Sequence, residues 1–151
     1  RVWERRVPHA VEHDRADGVA VIDVDHFKEI NDTYGHPAGD AALRTIVKAV
    51  VGCIRGSDIL IRYGGDEFLL VFPEIPENIF HQRLQEISRA VADAAVPEHP
   101  DMKLSVSVGG VYRMTPLSDA VYHADLLMYH AKQEKHHMML HNHEHDRSMP
   151  D

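Results

Sequence analysis

The sequence predicts an α+β fold, in which a mixed central sheet carries helices packed around it. The apolar periodicity gives segments in the order β-α-α-β-β-α-β-α. Two apolar runs, 59–61 and 68–72, are separated by a short turn, so they form a hairpin instead of a parallel crossover unit. Neither the P-loop pattern nor the Gly-x-Gly-x-x-Gly pattern occurs in the sequence, which argues against both classes of nucleotide-binding fold.

Composition limits the partners that this segment can have. A formal net charge of −8 argues against a nucleic-acid partner, because such a protein needs a basic surface to bind phosphates. No apolar run approaches the ~20 residues of a membrane span, and no signal-peptide pattern opens the sequence. Cys53 is the single cysteine, which is typical of a reducing compartment. We therefore expect a cytoplasmic segment that does not contact a membrane, with a membrane anchor upstream left open.

The first strand is predicted over residues 18–24 and ends in two carboxylates. Asp23 and Asp25 are two residues apart and therefore share one face of the strand. Oxygen ligands of this kind suit Mg²⁺ or Mn²⁺ held together with a substrate phosphate. A simple acidic turn is the alternative for this short motif, and the second acidic segment downstream favours the cation site.

Two helical segments follow the first strand. Residues 27–32 are predicted to form one helical turn and a loop, because 34–37 is a run of turn-forming residues. Residues 38–54 repeat apolar side chains at helical spacing, which predicts a helix that packs on the sheet.

The hairpin turn combines two glycines with two carboxylates. Gly64 and Gly65 are expected to supply the positive φ angles of a tight turn and to let a bulky ligand approach the backbone. Asp66 and Glu67 point to opposite faces of the strand, so we expect them to have different roles.

The remaining elements follow from periodicity and turn residues. A third helix covers residues 80–91, a fourth strand covers 104–108 up to a bend at Gly109-Gly110, and a last helix runs from Thr115-Pro116 to about Glu134. Residues 1–17 favour an amphipathic helix, 138–140 a short edge strand, and 142–151 a disordered tail. The histidines of the C-terminal segment are interpreted as a polar tail, with metal chelation as the alternative.

The hairpin motif Gly64-Gly65-Asp66-Glu67-Phe68 resembles the signature of the GGDEF family of diguanylate cyclases. The resemblance extends in the family's order over the segments 23–32, 34–40, 107–109 and 124–132. It implies a palm-like nucleotidyl cyclase fold, a GGDEF domain over residues 1–141 that is truncated at its N-terminus, and an upstream regulatory domain that is absent from this chain.

The resemblance also implies an activity, the condensation of two GTP into cyclic di-GMP and two pyrophosphates at the interface of a homodimer. Two Mg²⁺ or Mn²⁺ ions per active site would be held by Asp23, the main-chain carbonyl of Val24, and Asp66. The catalytic residues would be Asp66, Glu67 and Lys28. The substrate-binding residues would be Phe27, Lys28, Asn31, His36, Asp40, Leu43 and Lys132.

The chain matches the family in one regulatory motif and departs from it in one segment near the C-terminus. Arg55 and Asp58 have the Arg-x-x-Asp spacing of the family's inhibitory product site, with Arg83 or Arg89 as the third contact. The family's Gly-Arg-Asn after the late lysine is replaced by Lys135-His136-His137, which lacks the permanently charged fork of an arginine. The alternatives are therefore a weakly active or inactive module that senses GTP or cyclic di-GMP, and a plain interaction domain.

Overall fold

The computed structural model describes residues 15–133 and the backbone of residues 138–142. The elements are β1 (Gly18–Val24), α1 (Phe27–Tyr34), α2 (His36–Val51), β2 (Ile59–Arg62), β3 (Glu67–Phe72), α3 (Glu77–Asp93), β4 (Val106–Tyr112), α4 (Leu117–Gln133) and β5 (Met138–Asn142). The predicted order and the edge strand are confirmed. The helix expected within 1–17, the segment 135–137 and residues 143–151 of the predicted tail lie outside the described residues, apart from 15–17. Asn142, which the prediction assigns to that tail, is the last residue of β5.

The five strands form one sheet in the order β2-β3-β1-β4-β5. Strands β1, β2, β3 and β4 pair antiparallel, and β4 pairs parallel with β5, so the sheet is mixed, as predicted. In this register Asp23 of β1 lies opposite Glu67 of β3 on one side and Ser107 of β4 on the other. The sheet therefore brings the acidic end of β1 beside the hairpin turn.

Both faces of the central strand β1 are covered. Ala20, Ile22 and Val24 belong to a core shared with α2 and α3, whereas Val19 and Val21 belong to a second core under α4. Burial on both faces explains the continuous apolar run of this strand. Asp23 continues the odd-numbered series, so its side chain lies on the α4 side of the sheet.

The first two helices differ from their predicted bounds. Helix α1 contains eight residues instead of a single turn, because Gly35 alone interrupts the helical backbone. Gly35 has φ 93°, and its amide donates to the carbonyl of Asn31 at 2.9 Å, which ends α1. Pro37 is accommodated in the first turn of α2, where no amide proton is needed. Helix α2 therefore begins two residues before the predicted start, and it ends at Val51, three residues early.

The predicted bend at Gly109-Gly110 is wrong, because β4 continues through both glycines in regular pairing with Val21 and Ala20. A Cβ on Gly109 would lie 2.1 Å from the carbonyl oxygen of Ala124 and 2.3 Å from the amide nitrogen of Met128. The glycine is therefore needed for the close approach of α4 to the sheet. None of the helices in the described part of the chain has the length and apolar character needed to cross a bilayer.

Candidate active site

The hairpin turn, residues 63–66, is held by main-chain hydrogen bonds. The amides of Tyr63 and Gly64 donate to the carbonyl of Glu67 at 2.8 and 3.2 Å. The Arg62 guanidinium donates to the carbonyls of Gly64 and Gly65. The carbonyl of Asp66 accepts from the amide of Val24 at 3.0 Å, which ties the turn to the end of β1. The position of Asp66 is therefore fixed by its own main chain.

The prediction that Gly64 and Gly65 supply positive φ angles to the hairpin turn is wrong. Gly35 is the only glycine of the described residues with a positive φ, so the turn does not use left-handed backbone at Gly64 or Gly65. The four-residue turn is long enough to reverse the chain without such angles. A Cβ on Gly65 would meet no atom within 4 Å, and a Cβ on Gly64 would make only an ordinary contact with Glu67. The space beside the turn is open, which is compatible with the close approach of a ligand.

An open cavity of about 760 Å³, which we call the acidic cleft, lies beside the turn. It gathers five of the predicted site residues from four segments of the chain. These are Val24, Phe27, Lys28, Asp66 and Lys132. The other residues that line it are Asp25, His26, Glu29, Ser107, Ala131 and Gln133.

Asp23 does not itself line this cleft, but it contacts Lys132 of α4, which does. The Lys132 ammonium is 3.1 Å from Asp23 Oδ2 and 3.2 Å from Asp25 Oδ1. It also donates to the carbonyl of Val24 at 3.4 Å. Burial raises the pKa of Asp23, and the charges of Asp66 and Asp25 act in the same direction against the hydrogen bond from Lys132.

These residues fit a divalent cation. Asp23 Oδ1 is buried and has no hydrogen-bond partner among the described residues. A buried carboxylate oxygen without a donor is costly unless a cation binds it, and hard oxygen ligands suit Mg²⁺ or Mn²⁺. Within the described ranges, no three His, Cys, Asp or Glu side chains form a complete metal site. A cation held by Asp23, Asp66 and the Val24 carbonyl would take its other ligands from substrate or water.

The sequence-based prediction did not assign roles to Ser105 and Ser107. Their hydroxyls donate to Asp25 Oδ2 and Oδ1 at 2.7 and 2.6 Å. Burial would raise the pKa of Asp25, but these hydrogen bonds and the charge of Lys132 lower it overall. The alternation of serine with valine predicts a half-buried strand with exposed serines, yet Ser107 is only 3% exposed. The sequence pattern that could have indicated this role is the pair of serines around the start of β4, the strand that lies beside the acidic end of β1.

Glu67 has different surroundings from those of Asp66. Glu67 lies opposite Asp23 in the sheet and does not line the acidic cleft. Burial raises the pKa of Glu67, and the charges of Asp125, Asp23 and Asp66 raise it further. Asp125 of α4 is a third residue, after Ser105 and Ser107, to which the sequence-based prediction assigns no role. The two hairpin carboxylates are thus presented to different surroundings, in agreement with the strand alternation.

A second open cavity, of about 720 Å³, lies between α2 and the hairpin, and we call it the helix–hairpin groove. It contains Asp40 and Leu43 of the predicted base-binding set, with Phe68 as part of its apolar lining. The other lining residues are Arg44, Val47, Lys48, Val51, Leu60 and Arg62. Asn31 is close by, since a Cβ on Gly39 would lie 1.9 Å from Asn31 Oδ1. His36 is exposed at the start of α2 and lines neither cavity.

Arg55 and Asp58 form a compact turn before β2. Arg55 donates from its amide to Asp58 Oδ2 at 2.8 Å, and its guanidinium contacts Asp58 Oδ1 and the Glu74 carbonyl. The Asp58 side chain is fully buried, whereas that of Arg55 is half exposed. In the structure Asp58 therefore holds Arg55, and its direct contact with a ligand stays a prediction.

The two candidate third residues of that predicted site are both on α3. Arg83 is half-buried and 3.3 Å from Glu86, and Arg89 is exposed. The charge of Arg83 acts on Cys53, two residues before Arg55, although burial is the main reason that the pKa of Cys53 is raised. This proximity favours Arg83.

Comparison with protein families gives a match over residues 2–138 to the family described as diguanylate cyclase, GGDEF domain. The chain is 32% identical over 144 residues to the probable diguanylate cyclase DgcC of Escherichia coli, covering 88% of this chain and 38% of DgcC. It is 39% identical over 110 residues to the diguanylate cyclase DosC of E. coli, covering 72% of this chain and 24% of DosC. The chain thus spans well under half the length of these relatives.

Solved structures resemble the described fold. A diguanylate cyclase, SiaD, from Pseudomonas aeruginosa, solved in complex with its activator SiaC, superimposes with a TM-score of 0.78 at 31% identity, covering 85% of this chain and 51% of SiaD. The GGDEF domain of DgcB from Caulobacter crescentus, solved in complex with c-di-GMP, superimposes with a TM-score of 0.74 at 27% identity, covering 84% of this chain and 77% of that domain.

Proposed function

Because the chain belongs to the GGDEF domain family of diguanylate cyclases, we propose that it condenses two GTP molecules into cyclic di-GMP and releases two pyrophosphates. The observation that carries the proposal is the tie between the hairpin turn and the end of β1, where the Asp66 carbonyl accepts from the Val24 amide. This bond holds Asp66 near Asp23, in a cleft that also contains Lys28 and the Lys132 side chain that contacts Asp23. Carboxylates and lysines arranged in this way suit a metal-bound triphosphate.

In the proposed reaction, Asp23, the Val24 carbonyl and Asp66 would hold two Mg²⁺ or Mn²⁺ ions. When bound, these ions neutralise phosphate charge and make the attacking 3′-hydroxyl more acidic. Asp66 accepts the proton of that hydroxyl, and Glu67 supports it from the adjacent position.

Lys28 and Lys132 provide the cationic groups of the same cleft. Their ammonium groups contact the phosphates and offset the negative charge that builds in the transition state. Lys28 is exposed in the cleft, and Lys132 is partly buried in it. The reaction needs GTP, which is consistent with a cytoplasmic location.

We propose that the helix–hairpin groove recognises guanine. The Asp40 carboxylate accepts from N1–H and N2–H₂ of the base, and the Asn31 amide contacts the same base. Leu43 lines this groove and Phe27 lines the acidic cleft, and both would provide apolar contacts to the base. His36 lines neither cavity, so it would contact the substrate only from the exposed start of α2. Adenine has no N1–H, so the Asp40 carboxylate would face an acceptor.

Replacing Asp40 by Ala is expected to weaken GTP binding by about ten- to a hundred-fold, because a charge-assisted hydrogen bond is worth roughly 1.5–3 kcal/mol. The preference for GTP over ATP should shrink by a similar factor. Calorimetric titration with both nucleotides measures the two effects. Asp93→Ala, an exposed carboxylate at the end of α3, is the control. Unchanged GTP affinity in Asp40→Ala would show that the base is recognised elsewhere.

Each domain is proposed to hold one GTP, so two chains must meet about a two-fold axis with their hairpins facing each other. The rate per chain should then rise with protein concentration until the homodimer saturates. The test is to incubate the protein at several concentrations with GTP and Mg²⁺ and to quantify the cyclic di-GMP formed by chromatography. If the rate per chain stayed constant even at concentrations at which the protein is monomeric, the proposed catalytic homodimer would be contradicted.

We further propose that cyclic di-GMP inhibits the enzyme through Arg55. The half-exposed guanidinium can bind a guanine edge or a phosphate, while buried Asp58 holds it in place, and Arg83 supplies a second cation. This turn lines neither the acidic cleft nor the helix–hairpin groove. A product molecule bound there would keep two domains in an unproductive arrangement.

Arg55→Ala is expected to relieve inhibition at high cyclic di-GMP and to leave the initial rate unchanged. Arg113→Ala removes an exposed arginine at the end of β4 and serves as the control. Initial rates measured over a series of product concentrations give both quantities. Equal inhibition of Arg55→Ala and the unaltered protein would rule out this site.

The second candidate function is a module that binds GTP or cyclic di-GMP without turnover. It is favoured by Lys135-His136-His137 in place of the family's Gly-Arg-Asn. Product analysis after incubation with GTP and Mg²⁺ separates the two functions, because the binding module leaves the nucleotide unchanged.

A further inference from the structure

The ammonium group of Lys132 lies against the oxygens assigned to the proposed metal site. It is 3.1 Å from Asp23 Oδ2 and 3.4 Å from the Val24 carbonyl oxygen. Both groups are among the three that are proposed to hold the metal. The ammonium contacts Oδ2 and leaves Oδ1 unpartnered, so a divalent cation bound to this carboxylate would lie directly beside the ammonium and share the Val24 carbonyl with it.

We propose that Lys132 occupies the metal position in the nucleotide-free protein and must release Asp23 before a divalent cation binds. This inference rests on the proposed function for the identity of the metal ligands. An ammonium held this close would repel a divalent cation on the same carboxylate, and the half-buried site screens that repulsion poorly. Lys132 therefore acts as a built-in competitor that keeps the metal affinity of the free protein low.

Asp25 keeps Lys132 in the cleft after that release. Its Oδ1 contacts both the Lys132 ammonium at 3.2 Å and the Ser107 hydroxyl, and its Oδ2 accepts from Ser105. Two serine hydroxyls fix the carboxylate, so the lysine can leave Asp23 and stay on Asp25. Asp25 is thus a positioning residue that acts through Lys132.

The exchange links metal binding to nucleotide binding. A metal ion arriving alone must displace the ammonium from Asp23 and gives Lys132 no new partner. A metal ion arriving with a triphosphate offers the displaced ammonium a phosphate oxygen within the same cleft. The metal affinity should therefore be low without nucleotide and higher with it, by reciprocal linkage.

The test measures Mn²⁺ binding to the nucleotide-free protein by the loss of the electron paramagnetic resonance signal of free Mn²⁺. Lys132→Met keeps the side-chain length and removes the charge, and it should bind Mn²⁺ roughly tenfold more tightly or better. Lys132→Arg keeps the charge and should not gain affinity. Lys28→Met removes a cation that lines the same cleft but, among the described residues, forms no ion pair with Asp23, and it should change the affinity by less than about threefold.

Asp23→Asn in the Lys132→Met background should abolish the gain, which assigns the gain to Asp23. Circular dichroism confirms folding, and Lys132→Gln replaces Lys132→Met if the latter unfolds. The inference would be overturned if Lys132→Met bound Mn²⁺ no more tightly than the unaltered protein, or if Lys28→Met gained as much Mn²⁺ affinity as Lys132→Met. Because these titrations contain no nucleotide, they are decided independently of turnover, and an absence of cyclic di-GMP formation would instead count against the proposed function.

Discussion

Asp66→Asn should abolish cyclic di-GMP formation while leaving the protein folded. An asparagine amide is a weaker metal ligand than a carboxylate and cannot accept the hydroxyl proton, so we expect a loss of at least about a thousand-fold in rate. Asp66 is held in place by a hydrogen bond that its main-chain carbonyl accepts from the Val24 amide, and the substitution leaves this bond unchanged. Removing the charge also relieves its repulsion of Asp23. The melting temperature should therefore stay the same or rise slightly.

The measurement is the initial rate of product formation with GTP and Mg²⁺, together with thermal unfolding of the same samples. Asp32→Asn, an exposed carboxylate on α1 that lines neither cavity, is the control and should retain the unaltered rate. If Asp66→Asn formed product as fast as this control, the assignment of Asp66 would be wrong.

Gly109→Ala should destabilise the fold strongly. The added Cβ would lie 2.1 and 2.3 Å from main-chain atoms of Ala124 and Met128, and backbone atoms cannot rotate away as a side chain can. Helix α4 would have to move off the sheet and lose part of its apolar contact with β1 and β4. We expect a decrease of about 3 kcal/mol or more in the free energy of unfolding, measured by urea denaturation.

Gly65→Ala is the matched comparison for that effect. Its Cβ would meet no atom within 4 Å, and the backbone at this position is not left-handed, so the free energy of unfolding should change by less than about 0.5 kcal/mol. If a ligand approaches the open side of the turn, the same substitution should lower turnover without lowering stability. Equal stability of the two variants would contradict the packing described for α4.

The elements that sequence reasoning predicted well are those governed by local pattern. The hairpin, the acidic end of β1 and the amphipathic helices follow from alternation, periodicity and turn residues within short windows. The family resemblance placed Asp23 and Asp66 in one site, and the register of β1 and β3 does bring their segments together.

Contacts made across the fold could not be predicted from local pattern. Gly109 has the local pattern of a bend, and only the approach of α4 explains why a glycine is needed in a straight strand. The contact of Lys132 with Asp23 joins residues on different elements, so no local pattern reports it. Asp58 has the spacing expected of a ligand-binding residue, but its burial beneath Arg55 depends on the tertiary packing of the turn.

The most direct test of the proposed function is the product stoichiometry after incubation of the protein with GTP and Mg²⁺. Chromatography quantifies cyclic di-GMP, and an enzymatic assay quantifies pyrophosphate in the same reaction, with Asp66→Asn run in parallel. We expect two pyrophosphates for each cyclic di-GMP from the unaltered protein and no product from the variant. If GTP binds and raises the melting temperature but remains unconverted in both samples, the chain is a binding module and the proposed cyclase activity is contradicted.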